Sequence, residues 1–314
     1  MGIFGTLGCI RIFGSLLGHS GVIRIFRVAI NVHFNKSTIS AIIILVSLAT
    51  IIGLSGLNFL IPKNLPTNQN NQTETSSYQG MNKIFLTTQD NVKIASDVYE
   101  VENPVGWLVL VHMMPAVKES WQNLATDLAN QGYESIAIDL RGHGESDGGL
   151  NGYLKFSDAD NQKSISDLEV AVNYLIQERG ATPDKISFIG ASIGANLSLQ
   201  YISENSLDKL GTGSEFSAKG GSASGGKTAV LLSAGLNYHG IKTEPLVKNL
   251  KAGQKVFFVS AKDDDNNAEE SQKLFDLTPA GVEKEIKIYD SGGHGTNILG
   301  NQSDLNNLIL NFIK

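Results

Sequence analysis

From residue 81 onward the sequence predicts an α/β fold: a mostly parallel, eight-stranded sheet wrapped by helices and opened by an antiparallel pair. Three observations carry that expectation. Short continuous apolar runs recur, as they do when both faces of a sheet are covered. Stretches with the apolar period of amphipathic helices lie between them. At residues 184–200 one such run, Ile186-Ser-Phe-Ile-Gly190, meets a glycine-flanked serine and leaves at once as a helical pattern, the strand-to-helix turn that a parallel sheet repeats.

Composition bounds the rest. With 314 residues, 41% of them apolar, the chain can bury one substantial core and still carry appendages. Net charge is −6, yet the four charged residues of 1–61 (Arg11, Arg24, Arg27 and Lys36) are all basic. The remainder is therefore more acidic than the whole, which argues against binding nucleic acid through a basic face. A single cysteine, Cys9, excludes an intramolecular disulfide framework and a Cys-based zinc site. Thr6-Leu-Gly-Cys9 has the letters of a lipoprotein cleavage box but no apolar region precedes it. Met1-Gly2 with Thr6 has those of a myristoylation signal, which needs a eukaryotic source.

Residues 1–38 form a basic and apolar segment in which Ile10-Arg-Ile-Phe13 recurs as Ile23-Arg-Ile-Phe26, a composition compatible with a membrane interface or with a tail. Residues 39–61 are free of charge and long enough to cross a bilayer as one helix. The flanking charges are basic before the span, whereas Lys63 and Glu74 follow it, so the expected topology is single-pass, with the large C-terminal part outside the cytoplasm. A retained signal anchor is favoured over a cleaved peptide, since no small-residue cleavage site is evident near Gly56 to Pro62. Residues 62–80, rich in Asn, Gln, Thr, Ser and Pro, read as a polar linker.

The domain spans 81–314. Its expected strands are Lys83–Thr88, Val92–Tyr99, Gly106–His112, Glu134–Asp139, Lys185–Ile189, Thr228–Ser233, Lys255–Ser260 and Glu285–Tyr289. Helical patterns cover Ser120–Gln131, Ser166–Glu178, Ala195–Ser203, Asn267–Phe275 and Ser303–Ile313. The Gly- and Ser-rich stretch 203–227 breaks the rhythm and reads as a flexible insertion.

Gly190-Ala-Ser192-Ile-Gly194 fits a nucleophile elbow, a turn so sharp that its serine takes a strained backbone and its neighbours must be small. The following helix aims its N-terminal amides at the space above the serine, where negative charge would develop. Gly144-Glu-Ser146-Asp-Gly148 has the same letters but lies in a turn-forming stretch with no helical pattern after it, so context selects Ser192. A hydroxyl needs a base and a carboxylate to become a nucleophile at neutral pH. Of six histidines, His294 fits best, in the glycine-flanked loop Asp290-Ser-Gly-Gly-His294-Gly-Thr after the last strand. For the acid, the turn after Val256–Ala261 offers Asp263, Asp264 and Asp265, which otherwise read as a solvated acidic turn or an adventitious calcium site.

With these motifs in this order, residues 82–314 resemble the α/β-hydrolase family. Strand-end His112, the segment Asp139-Leu-Arg141-Gly-His143-Gly-Glu-Ser146 and the order Ser192, acid, His294 carry the resemblance. The family's acid commonly follows its strand in a Gly-x-x-Asp turn; with Ala261 in the glycine's place, the role falls on Asp264, with Asp263 the second choice. The resemblance also implies an oxyanion hole made by the amides of Ile193 and Met114, although Met113 stands where the family usually has glycine. It implies that Asp139, Arg141 and His143 form a structural turn beside the site. The expected activity is hydrolysis of an ester-type bond in a small-molecule ester or acyl substrate, through an acyl-enzyme, without metal or organic cofactor. Only about twenty residues separate the sixth and seventh strands, so an open site without a large cap is expected, walled by Gly148 to Ser164 with Tyr153 and Phe156. A serine peptidase or an acyltransferase would share these residues, while a silent binding module should lack one of them.

Overall fold

The computed structural model describes residues 76–204 and 226–314, together with the backbone of two strands nearer the N-terminus. Those two, Arg11–Leu17 and Ile23–Ala29, pair antiparallel and belong to a unit of their own, residues 1–71. The expected membrane helix 39–61, most of the linker and nearly all of the insertion 203–227 lie outside the described residues. Among the described residues no helix is long and apolar enough to cross a membrane.

The larger unit is organised by eight strands: β1 (Ser77–Thr87), β2 (Lys93–Glu102), β3 (Gly106–Val111), β4 (Tyr133–Ile138), β5 (Ile186–Ala191), β6 (Thr228–Leu232), β7 (Lys255–Ala261) and β8 (Glu283–Tyr289). Their spatial order is β1-β2-β4-β3-β5-β6-β7-β8. Only β2 runs against the rest, pairing antiparallel with both β1 and β4; the expected antiparallel opening is thus one reversed strand. Among the described residues, five helices of at least 9 residues flank the sheet: α1 (Gln122–Asn130), α2 (Ile165–Glu178), α3 (Ile193–Glu204), α4 (Asn267–Leu277) and α5 (Leu305–Ile313).

The apolar runs become strands because each serves two cores at once, alternating by residue. Val109 and Val111 of β3 join Leu168, Val172 and Leu175 of α2 and Leu197 of α3. Leu108 and Leu110 point the other way, to Leu124 and Leu128 of α1 and to Ile309 and Phe312 of α5. Strand β5 is buried at all six positions, each large apolar side chain contributing about 1.5–3 kcal/mol. The strand that leads into the glycine-flanked serine is therefore anchored in the core along its whole length, as its neighbours β3 and β6 are.

Two expected boundaries move. Strand β1 begins at Ser77, so the last four residues of the expected 62–80 linker are part of the sheet. Ser-Tyr-Gln-Gly reads as linker because β1 is an edge strand with a solvated face. Helix α3 continues through Glu204, which takes the start of the expected insertion at Ser203 into a helix. The stretch between β6 and β7, expected as loop, holds a two-residue-per-strand hairpin, Asn237–Tyr238 with Ile241–Lys242, and a short helix, Thr243–Lys248.

Candidate active site

Ser192 sits between β5 and α3 with φ +54, a left-handed conformation that costs a non-glycine residue about 1–2 kcal/mol. The surrounding backbone holds it there. Its N–H donates to Leu232 O at the end of β6 (2.8 Å), and its carbonyl accepts the first bonds of α3 from Ala195 and Asn196. Neither flanking glycine tolerates a side chain. A Cβ on Gly190 would collide with the Gly194 carbonyl, and one on Gly194 with the carbonyls of Val111 and His112.

The loops after β7 and β8 meet beside this turn. His294 Nδ1 lies 2.7 Å from Asp264 Oδ2 and 2.9 Å from Oδ1. The imidazole is 33% exposed and the carboxylate 11%, so a substrate can reach the ring while the acid is shielded. Gly293 and Gly295, with φ +73 and +58, bracket His294 and let its loop turn back.

The three adjacent aspartates divide. Asp263 accepts from the amides of Gly292 and Gly293, which hold its carboxyl below its ordinary range. Asp264 alone faces His294. Asp265 is exposed at φ +40. The geometry thus favours Asp264 over Asp263 as the imidazole's partner.

Ser233, one residue past β6, ties these loops together and carries no signal in the sequence. It is fully buried at φ +53; its hydroxyl donates to Asp264 Oδ2 (2.8 Å) and accepts from Gly295 N–H (2.9 Å). One oxygen therefore sets both the acid and the residue next to His294.

The amides of Met114 and Ile193 donate no hydrogen bond to any described residue. Ile193 opens α3, so its N–H is one of the unpaired donors of a helix N-terminus. Met113, in the place where glycine is common, lies against Gly295; a Cβ there would strike Met113 Sδ. That side chain joins the loop after β3 to the histidine loop.

The remaining polar residues of the sequence motif are structural. Ser146 is buried, donating to Asp139 O and accepting from Ala95 N–H. Arg141 is clamped by Asp90 and Asp167. His112 donates from Nδ1 to Met113 O and accepts at Nε2 from Leu140 N–H. Burial, reinforced by neighbouring His143, pushes it down to about 3, so it is neutral at physiological pH. His143 packs edge-on to His112 and stacks on Tyr153 at 4.2 Å. The sequence also hides Lys118, fully buried, whose ammonium meets Glu119, Asp139 and Glu145. Burial opposes its charge, but those bonds outweigh it and raise its affinity for the proton.

Tyr238, from the hairpin after β6, stands beside His294. Its hydroxyl oxygen accepts from Asn267 (3.3 Å), and its ring stands edge-on to the His294 ring, centroids 6.2 Å apart. No hydrogen bond joins Ser192 to His294 among the described residues; in resting hydrolases that bond often tightens only when substrate binds.

Chains of known structure show the same architecture. An esterase from Pyrococcus furiosus matches with TM-score 0.57 at 18% identity, over 75% of this chain and 92% of that one. An esterase from Exiguobacterium antarcticum matches with TM-score 0.53 at 16% identity, over 75% and 99%. A dienelactone hydrolase from Anabaena variabilis matches with TM-score 0.56 at 13% identity, over 75% and 97%. Residues 102–210, which include β3 to α3, match the family model described as serine aminopeptidase, S33. No curated protein matches the sequence.

Proposed function

We propose that this chain, which has the α/β-hydrolase fold, is a serine hydrolase cleaving a carboxylester or thioester. The observation that carries the proposal is the convergence of a serine in strained left-handed backbone, an imidazole bonded to a shielded carboxylate, and two uncommitted amides. Ser192 attacks the substrate carbonyl and His294 takes its proton, then returns it to the leaving group. Asp264 holds the imidazole tautomer with Nδ1–H toward itself and stabilises the imidazolium. The amides of Ile193 and Met114 receive the oxyanion. Water then attacks the acyl-enzyme by the same steps in reverse order, and no cofactor enters.

The apolar stretch 39–61 supports a second part of the reading: a single-pass anchor that holds the hydrolase domain outside the cytoplasm. Protease added to intact cells should then remove the C-terminal domain; protection of the domain would overturn this topology.

Activity is tested with the full chain in detergent against p-nitrophenyl esters, acyl thioesters and aminoacyl anilides, beside Ser192→Ala. Turnover of esters or thioesters, abolished in the variant, is expected. The match to a serine aminopeptidase model favours a second reading, peptidase activity. Turnover confined to the anilides would establish that reading instead. Turnover unchanged by Ser192→Ala would remove the serine mechanism.

A further inference from the structure

The loop between β6 and β7 is tied down more heavily than a connection needs. Asn196, fully buried on α3, donates to Ile241 O and accepts from Gly235 N–H. Thr243 donates to Gly235 O, and Glu270 of α4 accepts from Leu236 N–H. Asn267, 4% exposed, donates to Ala234 O (3.1 Å) and to the Tyr238 hydroxyl oxygen (3.3 Å). The hairpin itself turns through His239 and Gly240, both at positive φ, the geometry of a tight two-residue turn. The Tyr238 ring fills the space a side chain on Gly235 would occupy. These ties fix one side chain, Tyr238, whose ring flanks His294 and whose hydroxyl lies within electrostatic reach of Asp264 and Ser192.

We infer that Tyr238 is a further catalytic residue, a hydrogen-bond donor to the leaving-group oxygen of the ester. The inference rests on the serine-hydrolase reading above. The phenol oxygen accepts from Asn267, and no described residue accepts its own proton. Burial first, then the charges of Asp264 and Glu270, push its pKa up to about 12, so the phenol stays protonated throughout the neutral range. Its ring stands beside His294, the residue that hands the proton to the leaving group. When Ser192 turns to His294 and attacks, the C–O bond to the leaving group breaks and His294 delivers the proton. Tyr238 keeps its own proton and stabilises the charge building on that oxygen.

Tyr238→Phe keeps the ring on Gly235 and removes only the hydroxyl. It is compared with the wild-type full chain on two esters of one acyl group, a p-nitrophenyl ester and an alkyl ester. A p-nitrophenolate leaves without help, whereas an alkoxide needs it. The expected result is a fall of about 10–100-fold in kcat on the alkyl ester, no more than about threefold on the p-nitrophenyl ester, KM little changed, and retained labelling of Ser192 by a fluorophosphonate. Equal losses on both esters, or none on either, would overturn the inference. Inactive, unlabelled wild-type protein would instead sink the serine-hydrolase reading, and this inference with it. Should Tyr238→Phe fail to fold, Asn267→Ser, which frees the phenol but keeps its ring, must show the same split on the two esters; an unchanged ratio there would be equally fatal.

Discussion

Removing the Ser233 hydroxyl separates two effects that the structure superimposes. In Ser233→Ala the Asp264 carboxylate loses its 2.8 Å donor and the buried Gly295 N–H loses its 2.9 Å acceptor. A hydrogen bond to a charged group contributes about 1.5–3 kcal/mol, and an orphaned buried amide costs about 1–3 kcal/mol. Partial relaxation of the His294 loop brings the expected loss of stability to about 2–4 kcal/mol. Alanine also inherits φ +53, which glycine adopts without strain, so Ser233→Gly should be about 1 kcal/mol more stable than Ser233→Ala. Both variants free Asp264 to turn away from His294. The rate constant for fluorophosphonate labelling should therefore fall about tenfold in each, equivalent to about 1.4 kcal/mol of activation free energy. Urea unfolding and stopped labelling assays read the two quantities separately. A labelling rate that recovered with stability in the glycine variant would refute a positioning role for the hydroxyl and leave only a packing one.

Other substitutions test the remaining parts. Asp264→Asn should lower hydrolysis on the order of 10³-fold or more, by loss of the imidazole's orientation and charge partner; Asp263→Asn, which touches only the Gly292 and Gly293 amides, should stay within about tenfold of wild type in the same assay. Gly194→Ala forces a methyl into the carbonyls of Val111 and His112, so calorimetry should show destabilisation of about 3 kcal/mol or failure to fold. His112 bears on acid stability. Its folded pKa, about 3, lies below the ordinary 6.5, so below pH 6.5 the unfolded chain binds a proton that the folded chain refuses. Stability is therefore lost as pH falls from about 6.5 toward 3, by up to about 1.4 kcal/mol per pH unit from this residue. Asp167, raised by burial to about 6, works in the opposite sense between pH 6 and 3.8. The informative quantity is thus the difference between wild type and His112→Gln in the change of unfolding free energy from pH 7 to pH 5; wild type should lose stability relative to the variant over that interval.

Much of the fold was legible because buried parallel strands announce themselves. Lys255–Ala261 and Thr228–Leu232 read as apolar runs and are buried almost throughout. Ser192 was legible because only small residues fit around the turn, and His294 because two glycines bracket it. Ser233 was not, since a buried serine at a strand end has the same letters as an exposed one, and its role depends on loops 31 and 62 residues away in sequence. The hairpin bearing Tyr238 escaped for a related reason. Its ties from Asn196, Asn267 and Glu270 are long-range polar bonds that leave no periodicity, and its strands are two residues long. Lys118 left no signal either: a lone lysine has the same letters whether solvated or buried, and here its stem is buried and its charge answered by three carboxylates.

The central claim is that Ser192, and no other serine, is an activated nucleophile. Full-length protein treated with a fluorophosphonate, followed by intact mass and peptide mapping, tests it most directly, with Ser192→Ala and Ser146→Ala as companions. The account predicts one adduct, on Ser192, absent from the first variant and present in the second if that variant folds, since Ser146 is bonded to Asp139 O and Ala95 N–H. Folded wild-type protein that takes up no label, or takes it up elsewhere, would contradict the account.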